Sequence, residues 1–396
     1  MTAPSQPPEI SLIVNTYMKP RHLSLVLDSI EHQEGIEGRF EVVISDDGST
    51  DNTADLVAKR AAAAPYRLAF TTRPHDGFRL SRVRNDGVRV ACGARLLFLD
   101  GDCMLPRDHV AIHLERCREG VATGGDCGRL DAQQSESIDP ATLNAENVAT
   151  LLSRDERTNL RRKLRKWWWY TLIRHSTKPR LVGNNICIHR QDFERVNGFD
   201  ERFVGWGQED DDITLRLRAA GVRLETVLDR TCSLHVWHPT DPTATARWRD
   251  GANVPYFLRK GRLTRCREGF TKRSPHDLGW QLPEDLPHTA TGRALATLLH
   301  NATSCGDREP RLRAGGETGR SPEIDVVIRP GTSQFRPRAT KGRRRGPECR
   351  LLLIEGNAEA SKSLQKSADV VRHVSQNVAS PQTLVQELSA VLEQIG

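Results

Sequence analysis

The sequence contains no C-x-x-C pair and no long apolar run. Its nine cysteines are an odd number scattered along a chain of 396 residues, which argues against a disulfide framework or a zinc ribbon. No segment approaches the ~18 consecutive apolar residues of a membrane-spanning helix. Residues 1–10 lack the basic and apolar regions of a secretory signal. We therefore expect a cytoplasmic protein.

Basic residues outnumber acidic ones, with 58 lysines and arginines against 51 aspartates and glutamates and a formal net charge of +7. Because the basic residues are clustered, we expect an anionic partner: a nucleic acid, a nucleotide-sugar or an anionic membrane surface. The sequence has no nucleic-acid recognition motif, and the basic residues avoid its acid-rich half. A basic nucleic-acid-binding protein stays an alternative, and no specific nucleic acid is expected as a partner.

Strand and helix patterns alternate over the first hundred residues. Between the predicted strands, apolar residues recur at helical spacing, as at Leu23, Val26 and Ile30. This alternation is typical of an α/β fold with a parallel, doubly wound sheet. The predicted strands are Ile10–Val14, Phe40–Ser45, Tyr66–Thr71 and Leu96–Leu99.

Two carboxylates, Asp100 and Asp102, follow the apolar run Leu96–Leu99 and are separated by Gly101. Ligands of α/β sheets gather at the carboxyl ends of the strands. With a small residue between them, both carboxylates can face one hard cation that also holds phosphate oxygens. The alternative is an ordinary turn, because Asp and Gly are common turn residues.

A second group of acids, Glu209–Asp212, starts a predicted amphipathic helix. One or two carboxylates would serve the helix dipole, whereas four adjacent ones repel unless a cation or a proton relieves them. Further on, His235 and His238 are candidate metal ligands. Two histidines with structural contacts beside a tryptophan are the alternative.

A basic helix with an aromatic cluster is predicted over residues 157–173, where arginines and lysines lead into Trp167–Tyr170. One interpretation is docking at the inner face of the plasma membrane, because Trp and Tyr sit at headgroup level and Lys and Arg meet anionic lipid. Stacking against a sugar acceptor is a second interpretation. Packing of the tryptophans on the sheet is a third, because three adjacent tryptophans cannot all face one way.

The last third of the chain has no assigned chemistry. Residues 276–350 are rich in Arg, Gly and Pro and predict a disordered basic linker. Ile324–Ile328 and Leu351–Ile354 are candidate short strands. Within residues 351–396, helical spacing from Asp369 to Ile395 predicts a small helical segment.

Two groups of short motifs carry a family resemblance. The first group is Ser11–Tyr17, Asp46–Asp51, Arg84–Gly87 and Phe98–Asp102, and the second is Gly183–Asn185, Asn197–Asp200 and Gly205–Asp212. Residues 10–110 resemble the family 2 glycosyltransferases of the GT-A fold. Residues 181–240 resemble β-1,4-galactosyltransferases and chondroitin-polymerase-type enzymes. The resemblance implies a Rossmann-like mixed sheet flanked by helices, with a nucleotide-sugar-binding half over residues 8–130 and an acceptor-binding, catalytic half over residues 131–275.

The resemblance implies a site for a UDP-sugar donor. Tyr17 is expected to stack on the nucleotide base, and Asp47 to accept a hydrogen bond from an N–H of that base. Asn15 lies in the same loop as Tyr17. Asp100 is expected to contact the ribose or the metal, and Arg84 to steady the nucleotide.

The resemblance also implies a metal ion, Mn²⁺ or Mg²⁺, and a general base. Asp102 and His235 are the expected metal ligands, with His238 as the alternative to His235. Asp210 is expected to deprotonate a hydroxyl of the acceptor, a glycan or a lipid-linked glycan. The residues expected to bind this acceptor are Trp206, Glu209 and Asp211.

These expectations predict an inverting, metal-dependent hexosyltransferase that makes a surface polysaccharide, a lipopolysaccharide or another glycoconjugate. The metal would neutralise the leaving diphosphate, and a carboxylate would accept the proton of the attacking hydroxyl. A base opposite the leaving group allows one in-line displacement, which inverts the anomeric centre. A nucleotidyltransferase, which also uses paired aspartates and a metal, is the alternative, although no Gly-rich phosphate loop is evident.

Overall fold

Two compact units divide the chain in the computed structural model. We call Met1–Val254 the amino-terminal unit and Pro255–Gly396 the carboxyl-terminal unit. The structure describes residues 7–138, 148–239, 249–274, 277–281, 291–292, 295, 312–313, 323–329, 349–355 and 358–374.

The amino-terminal unit contains two sheets. Their strands are β1 (Ile10–Thr16), β2 (Phe40–Asp46), β3 (Leu68–Thr72), β4 (Arg95–Asp100), β5 (Cys103–Met104), β6 (Val121–Gly124), β7 (Cys127–Arg129), β8 (Asn185–His189), β9 (Arg223–Thr226) and β10 (Ser233–His235).

The larger sheet has seven strands in the order β3-β2-β1-β4-β8-β6-β9. Its first four strands pair in parallel, as predicted. β8 runs antiparallel to both β4 and β6, and β9 is parallel to β6. The expected α/β fold with a mixed sheet is therefore confirmed.

Helices surround this sheet. One of them, α6 (Arg154–Leu172), contains nearly all of the predicted basic aromatic segment. Among the described residues, no helix is both long enough and apolar enough to cross a membrane. The helices up to residue 257 are α1 (Pro20–Glu31), α2 (Thr53–Ala63), α3 (Leu80–Val90), α4 (His109–Arg116), α5 (Ala132–Glu136), α6 (Arg154–Leu172), α7 (Arg190–Arg195), α8 (Glu209–Ala219) and α9 (Asn253–Phe257).

The apolar run of β4 is buried on both faces of the sheet. Successive side chains of a strand point to opposite faces. Leu97 packs into the cluster that contains Leu27 of α1. Its neighbour Phe98 lies against two other rings. The centroid of the Phe98 ring is 5.6 Å from that of Phe193 and 5.1 Å from that of Phe199. Burial on both sides explains why this strand reads as a continuous apolar run rather than an alternating one.

The smaller sheet brings His235, the last residue of β10, close to the end of β4. Its order is β5-β10-β7, with β10 antiparallel to β5 and parallel to β7. The register sets His235 opposite Cys103, the residue after Asp102. The backbone N–H of Val236 donates to the carbonyl oxygen of Asp102 at 2.9 Å.

The described part of the carboxyl-terminal unit contains a parallel five-stranded sheet in the order β12-β11-β13-β14-β15 and the helix α10. These elements are β11 (Trp280–Gln281), β12 (Leu312–Arg313), β13 (Ile324–Arg329), β14 (Cys349–Glu355), α10 (Lys362–Ser367) and β15 (Val370–Val374).

Two predictions for this region are wrong where the structure describes it. β11 and β12 lie inside residues 276–350, where we predicted a disordered linker, whereas β13 and β14 confirm the candidate strands Ile324–Ile328 and Leu351–Ile354. The helix predicted from Asp369 is instead a strand over Val370–Val374, which pairs along its whole length with the buried β14. Valine fits both patterns, and beside an apolar strand its branched side chain favours the sheet. Residues 375–396 and Lys341–Arg345 lie outside the described residues.

A buried ion pair lies within α8, and its arginine also contacts the loop before the helix. Arg216 and Asp212 are both fully buried, with Nε 2.6 Å from Oδ2. Nη1 of Arg216 also donates to the carbonyl oxygens of Val196 and Gly198, each at 2.8 Å. This pair accounts structurally for one of the four acids in the cluster.

We expect Asp212→Ala to lower the free energy of unfolding by about 3–5 kcal/mol, because it leaves the Arg216 guanidinium buried without its carboxylate. Chemical denaturation measures this loss. Asp86→Ala is the matched control, since Asp86 pairs with Arg89 at the surface and should cost less than ~1 kcal/mol. Equal losses in the two variants would contradict the prediction.

Candidate active site

Polar side chains collect where β1, β2 and β4 end. Asn15 of β1 lies beside Asp100 of β4 in register, and its Nδ2 donates to Asp100 Oδ1 at 2.9 Å. Asp47 directly follows β2. Parallel strands end at one edge of the sheet, so three of the predicted nucleotide-binding residues share that edge.

An aromatic pair lies next to Asp47. The rings of Tyr17 and His75 are stacked, with centroids 4.3 Å apart and an interplanar angle of 13°. Nδ1 of His75 is hydrogen-bonded to the main-chain oxygen of Asp47 at 2.8 Å. Tyr17 is exposed. The two rings and Asp47 line a surface that suits a planar heterocycle.

Asp47 offers an oxygen for a ligand. Oδ2 accepts from the backbone N–H of Arg79 at 3.3 Å. Oδ1 is buried and has no hydrogen-bond partner among the described residues. Burial raises the pKa of Asp47 above its ordinary value. A buried acceptor without a partner is costly unless a donor fills it, and a base N–H is such a donor.

Arg84 of α3 is buried among three carboxylates. Its Nη1 is 2.7 Å from Asp210 Oδ1 and 3.7 Å from Glu209 Oε1. Its Nη2 is 3.5 Å from Asp100 Oδ1. Burial alone would lower the pKa of Arg84, but these carboxylates raise it, so the guanidinium stays charged. Arg84 therefore contacts the predicted base as well as the donor edge.

Asp210 is also held by the backbone of the G-N-N motif. Its Oδ2 accepts from the N–H of Gly183 at 2.9 Å. A Cβ at position 183 would overlap both the Asp210 carboxylate and the Arg84 guanidinium. Only glycine leaves room for this contact, which explains why the motif needs it there.

Burial separates the protonation of the clustered acids. It raises the pKa of Glu209 to about 8, with a further contribution from the charge of Asp210. It also raises the pKa of Asp100, although Arg84 opposes the shift. A protonated Glu209 relieves the repulsion among adjacent carboxylates that the sequence predicted.

The loop before α8 has an unusual backbone. Gly205, Gly207 and Gln208 have φ of 77°, 99° and 76°. Left-handed φ is uncommon for a residue with a side chain and occurs at functional sites. The side chain of Asn253 donates from Nδ2 to the carbonyl oxygen of Gly207 at 2.9 Å. This loop carries Trp206, which is exposed as an acceptor platform would be.

Asp211 lies in an ion pair rather than free at the surface. It is buried and contacts Arg180. Burial raises the pKa of Asp211, against the opposing effect of Arg180. The pair connects α8 to the segment before Gly183. Its predicted contact with an acceptor stays a prediction.

The predicted metal ligands lie together. Asp102, His235 and His238 each offer one ligand atom, all within 4.8 Å of one another. Nε2 of His235 is 3.7 Å from Asp102 Oδ1, and Nε2 of His238 is 3.2 Å from Oδ2. The two histidines, which we treated as alternatives, are therefore both near the carboxylate. Carboxylate oxygen and imidazole nitrogen suit Mn²⁺ and related divalent ions.

The protonation states of Asp102 and His235 suit metal binding. Burial alone would raise the pKa of Asp102, but His238, Lys19 and His235 hold it well below its ordinary value. Burial lowers the pKa of His235, whereas the hydrogen bond to Asp102 raises the pKa of His238. An ionised Asp102 and a neutral His235 are the forms that coordinate a cation.

The tryptophans near the carboxyl-terminal end of α6 differ in exposure. Trp168 and Trp169 are 56% and 60% exposed, while Trp167 is half-buried. Leu172 and Ile173 are also exposed. Leu160 is the buried residue of this helix. The basic residues Arg161, Arg162, Arg165 and Lys166 are exposed along the same helix.

Four residues of the site carried no recognised role in the sequence. His75 contacts Tyr17 because the loop after β3 places His75 beside the end of β2. Arg180 and Lys19 pair with acids from distant segments. Gly183 was visible as part of a motif, but its backbone donor was not.

Comparison with known families agrees with this geometry. Residues 11–179 match glycosyl transferase family 2. Residues 171–238 match the family described as the N-terminal domain of galactosyltransferase. Both matching families are described as sugar transferases. The predicted resemblance to family 2 glycosyltransferases and to galactosyltransferases is confirmed by these two matches.

Curated relatives cover part of the chain. Validoxylamine A glucosyltransferase of Streptomyces hygroscopicus subsp. limoneus is 29% identical over 240 residues, which are 56% of this chain and 50% of that protein. Chondroitin synthase of Escherichia coli is 24% identical over 281 residues, 63% of this chain and 39% of that protein. The chain therefore spans about half the length of the first relative and less of the second.

Solved structures give weaker matches. S. aureus TarS 1-349 in complex with UDP-GlcNAc has a TM-score of 0.44 at 17% identity, over 63% of this chain and 64% of that one. Mannosyltransferase PcManGT from Pyrobaculum calidifontis, in complex with GDP-Man and Mn²⁺, has a TM-score of 0.42 at 19% identity, over 77% and 78%.

We expect Glu209→Gln to change how stability depends on pH. The pKa of Glu209 is about 8 in the folded chain, against 4.5 for a free side chain. A carboxyl with a raised pKa stabilises the fold at low pH and loses that contribution as pH rises through this range. The free energy of unfolding of the wild type should therefore fall relative to Glu209→Gln between about pH 5 and 8.5.

Urea denaturation at several pH values measures the difference. Glu34→Gln, at an exposed carboxyl, is the matched control and should leave the pH dependence unchanged. A stability difference between wild type and Glu209→Gln that stays constant with pH would contradict the raised pKa.

Proposed function

We propose that the chain is an inverting, metal-dependent hexosyltransferase that moves a hexose-type sugar from a UDP-sugar to a hydroxyl of a glycan acceptor. The observation that carries the proposal is the Arg84 cluster, which joins the strand end at Asp100 to Asp210 of the second motif group. The same Asp100 neighbours the Asp102–His235–His238 group. The residues proposed for the donor edge, the cation site and the base thus lie in one unit.

The donor side of the proposal rests on Asp47 and Tyr17. The unpartnered Oδ1 of Asp47 would accept from the base N–H, and the exposed Tyr17 ring would stack on the base. We add His75, which backs the Tyr17 ring. Asn15 would hold Asp100 toward the ribose. A glucosyltransferase among the relatives supports a hexose as the transferred sugar.

Asp102, His235 and His238 would hold the divalent cation, Mn²⁺ or Mg²⁺. Their oxygen and nitrogen donors and the low pKa of Asp102 fit such an ion. When bound, the ion would supply positive charge to the diphosphate as the sugar bond breaks. Asp102 stays ionised in this role, and its neighbours orient it.

Asp210 would accept the proton of the attacking hydroxyl. Arg84 and the N–H of Gly183 fix one oxygen each, so the carboxylate is oriented before substrate arrives. General base catalysis of this kind contributes ~10²–10⁴-fold in rate. Attack from the face opposite the diphosphate would invert the anomeric centre. Glu209 and Trp206 would bind the acceptor beside this base, with Asp211 as the further predicted contact.

We expect Asp210→Asn to reduce sugar transfer by at least ~10²-fold, because an amide cannot accept the proton. The amide oxygen can still accept from Arg84, so the fold should be kept. Release of UDP from a panel of UDP-sugars with Mn²⁺ measures transfer, and calorimetry with UDP measures donor binding, which should be unchanged.

Asp86→Asn, at the surface, is the control for loss of one negative charge. Normal turnover by Asp210→Asn would exclude it as the base. Product analysis tests the reaction itself. Retention at the anomeric centre would contradict an inverting enzyme, and release of pyrophosphate would favour the nucleotidyltransferase alternative, which the family match does not favour.

We further propose that the α6 surface docks on an anionic membrane, at the inner face of the plasma membrane. The surface consists of the exposed tryptophans, Trp168 and Trp169, and the exposed basic residues Arg161, Arg162 and Arg165. No ion pair among the described residues neutralises these three arginines. Exposed aromatic and basic side chains on one helix suit the interface of a charged bilayer. A lipid-linked acceptor would be reached there.

We expect wild-type protein to float with anionic liposomes and the double variant Trp168→Ser/Trp169→Ser to float markedly less, because the variant loses its interfacial anchors. Leu258→Ser, at another exposed apolar side chain, is the control and should float like wild type. Wild-type protein that stays at the bottom of the gradient, with and without acceptor lipid, would refute docking.

A further inference from the structure

The Lys19 ammonium lies where the proposed cation would bind. Its Nζ is 2.9 Å from Oδ2 of Asp102, and Nε2 of His238 is 3.2 Å from the same oxygen. A positive group therefore already contacts one of the expected ligand atoms. The Lys19 side chain is 34% exposed and that of Asp102 is 12% exposed, so Lys19 can leave the carboxylate for solvent without opening the core.

The backbone around Lys19 is fixed on both sides. Met18 has a left-handed φ of 52°, and its N–H donates to Oγ of Ser49 at 2.8 Å. Pro20 starts α1 immediately after Lys19 and restricts the conformation of the residue before it. The backbone of this loop thus places the Lys19 side chain within reach of Asp102.

The same loop carries Tyr17, the expected contact of the nucleotide base. Base and diphosphate belong to one ligand, and the diphosphate must reach the cation at Asp102. Lys19 follows Tyr17 by two residues, and its Nζ lies 2.9 Å from Oδ2 of Asp102. An ammonium released from Asp102 would therefore be next to the most negative part of the donor.

We propose that Lys19 is the internal counter-ion of the metal site. It neutralises Asp102 while no divalent cation is bound, gives up Oδ2 when the cation arrives, and then binds the diphosphate of the donor. The proposal rests on the proposed function, since it takes Asp102 as a metal ligand. Two cations at one carboxylate oxygen repel each other, and this repulsion favours release of Lys19 from Oδ2 when the divalent cation binds.

The first consequence is a lower affinity for the metal alone. A cation that binds must displace Lys19 from Oδ2 or bear its repulsion. We expect Lys19→Met, which has a similar shape and no charge, to bind Mn²⁺ about tenfold more tightly than wild type in the absence of donor. Lys19→Arg keeps the charge and should stay close to wild type.

Calorimetry or the electron paramagnetic resonance of free Mn²⁺ measures this affinity. Lys59→Met, at an exposed lysine of α2, removes the same charge far along the chain and should leave the affinity unchanged. Asp102→Asn should abolish tight binding, which assigns the measured ion to this site. Circular dichroism checks that Lys19→Met is folded, and Lys19→Gln replaces it if it is not.

The second consequence concerns the donor. With Mn²⁺ saturating, UDP should bind Lys19→Met about tenfold more weakly than wild type, because one charged contact to the diphosphate is lost. The metal and the nucleotide thus respond to one substitution in opposite directions. A lysine with a merely structural role would change neither affinity in this pattern.

Each outcome decides a separate point. Tighter Mn²⁺ binding together with weaker UDP binding supports the counter-ion. Unchanged or weaker Mn²⁺ binding by the folded variant overturns it. Tighter Mn²⁺ binding with unchanged UDP binding overturns the step to the diphosphate. Failure of wild type and Lys19→Met alike to bind Mn²⁺ refutes the metal site of the proposed function, and the counter-ion with it.

Discussion

One buried guanidinium organises the candidate active site. Arg84 is 1% exposed and has no access to water, so it is stable only if carboxylates surround it. It draws Asp100 from a strand end and Glu209 and Asp210 from the start of α8. These segments lie more than a hundred residues apart in sequence. Without the guanidinium between them, the carboxylates of Asp100 and Asp210 would repel each other, which would drive the donor edge and the proposed base apart.

The acids consequently fall into two groups with different electrostatics. Asp102 contacts Lys19 and His238, which lower its pKa and suit it to a cation. Asp100 and Glu209 lie around Arg84, and desolvation raises their pKa. Gly101 alone lies between Asp100 and Asp102, so neighbouring carboxylates receive opposite shifts from their surroundings. The proposed cation site and the proposed site of proton transfer thus differ in their electrostatics although they are adjacent.

Much of the fold was predictable because its signals are local. The run before Asp100 is apolar on both faces, and the structure buries both faces of β4. The alternation of strands and helices gave the parallel order of the first four strands. The prediction failed at Val370–Val374, where valines at positions compatible with a helix pair with β14. Local spacing could not reveal that neighbour.

The sequence by itself determined which residues stand at the strand ends, because apolar runs, turn residues and acid spacing are properties of neighbouring positions. Only the tertiary structure decided which contacts those residues make with one another. It brought both His235 and His238 to Asp102, paired Asp211 with Arg180, and turned Arg84 toward Asp210. Each of these contacts joins distant segments, and its strength depends on burial. Burial is a property of the packed chain, which no local pattern records.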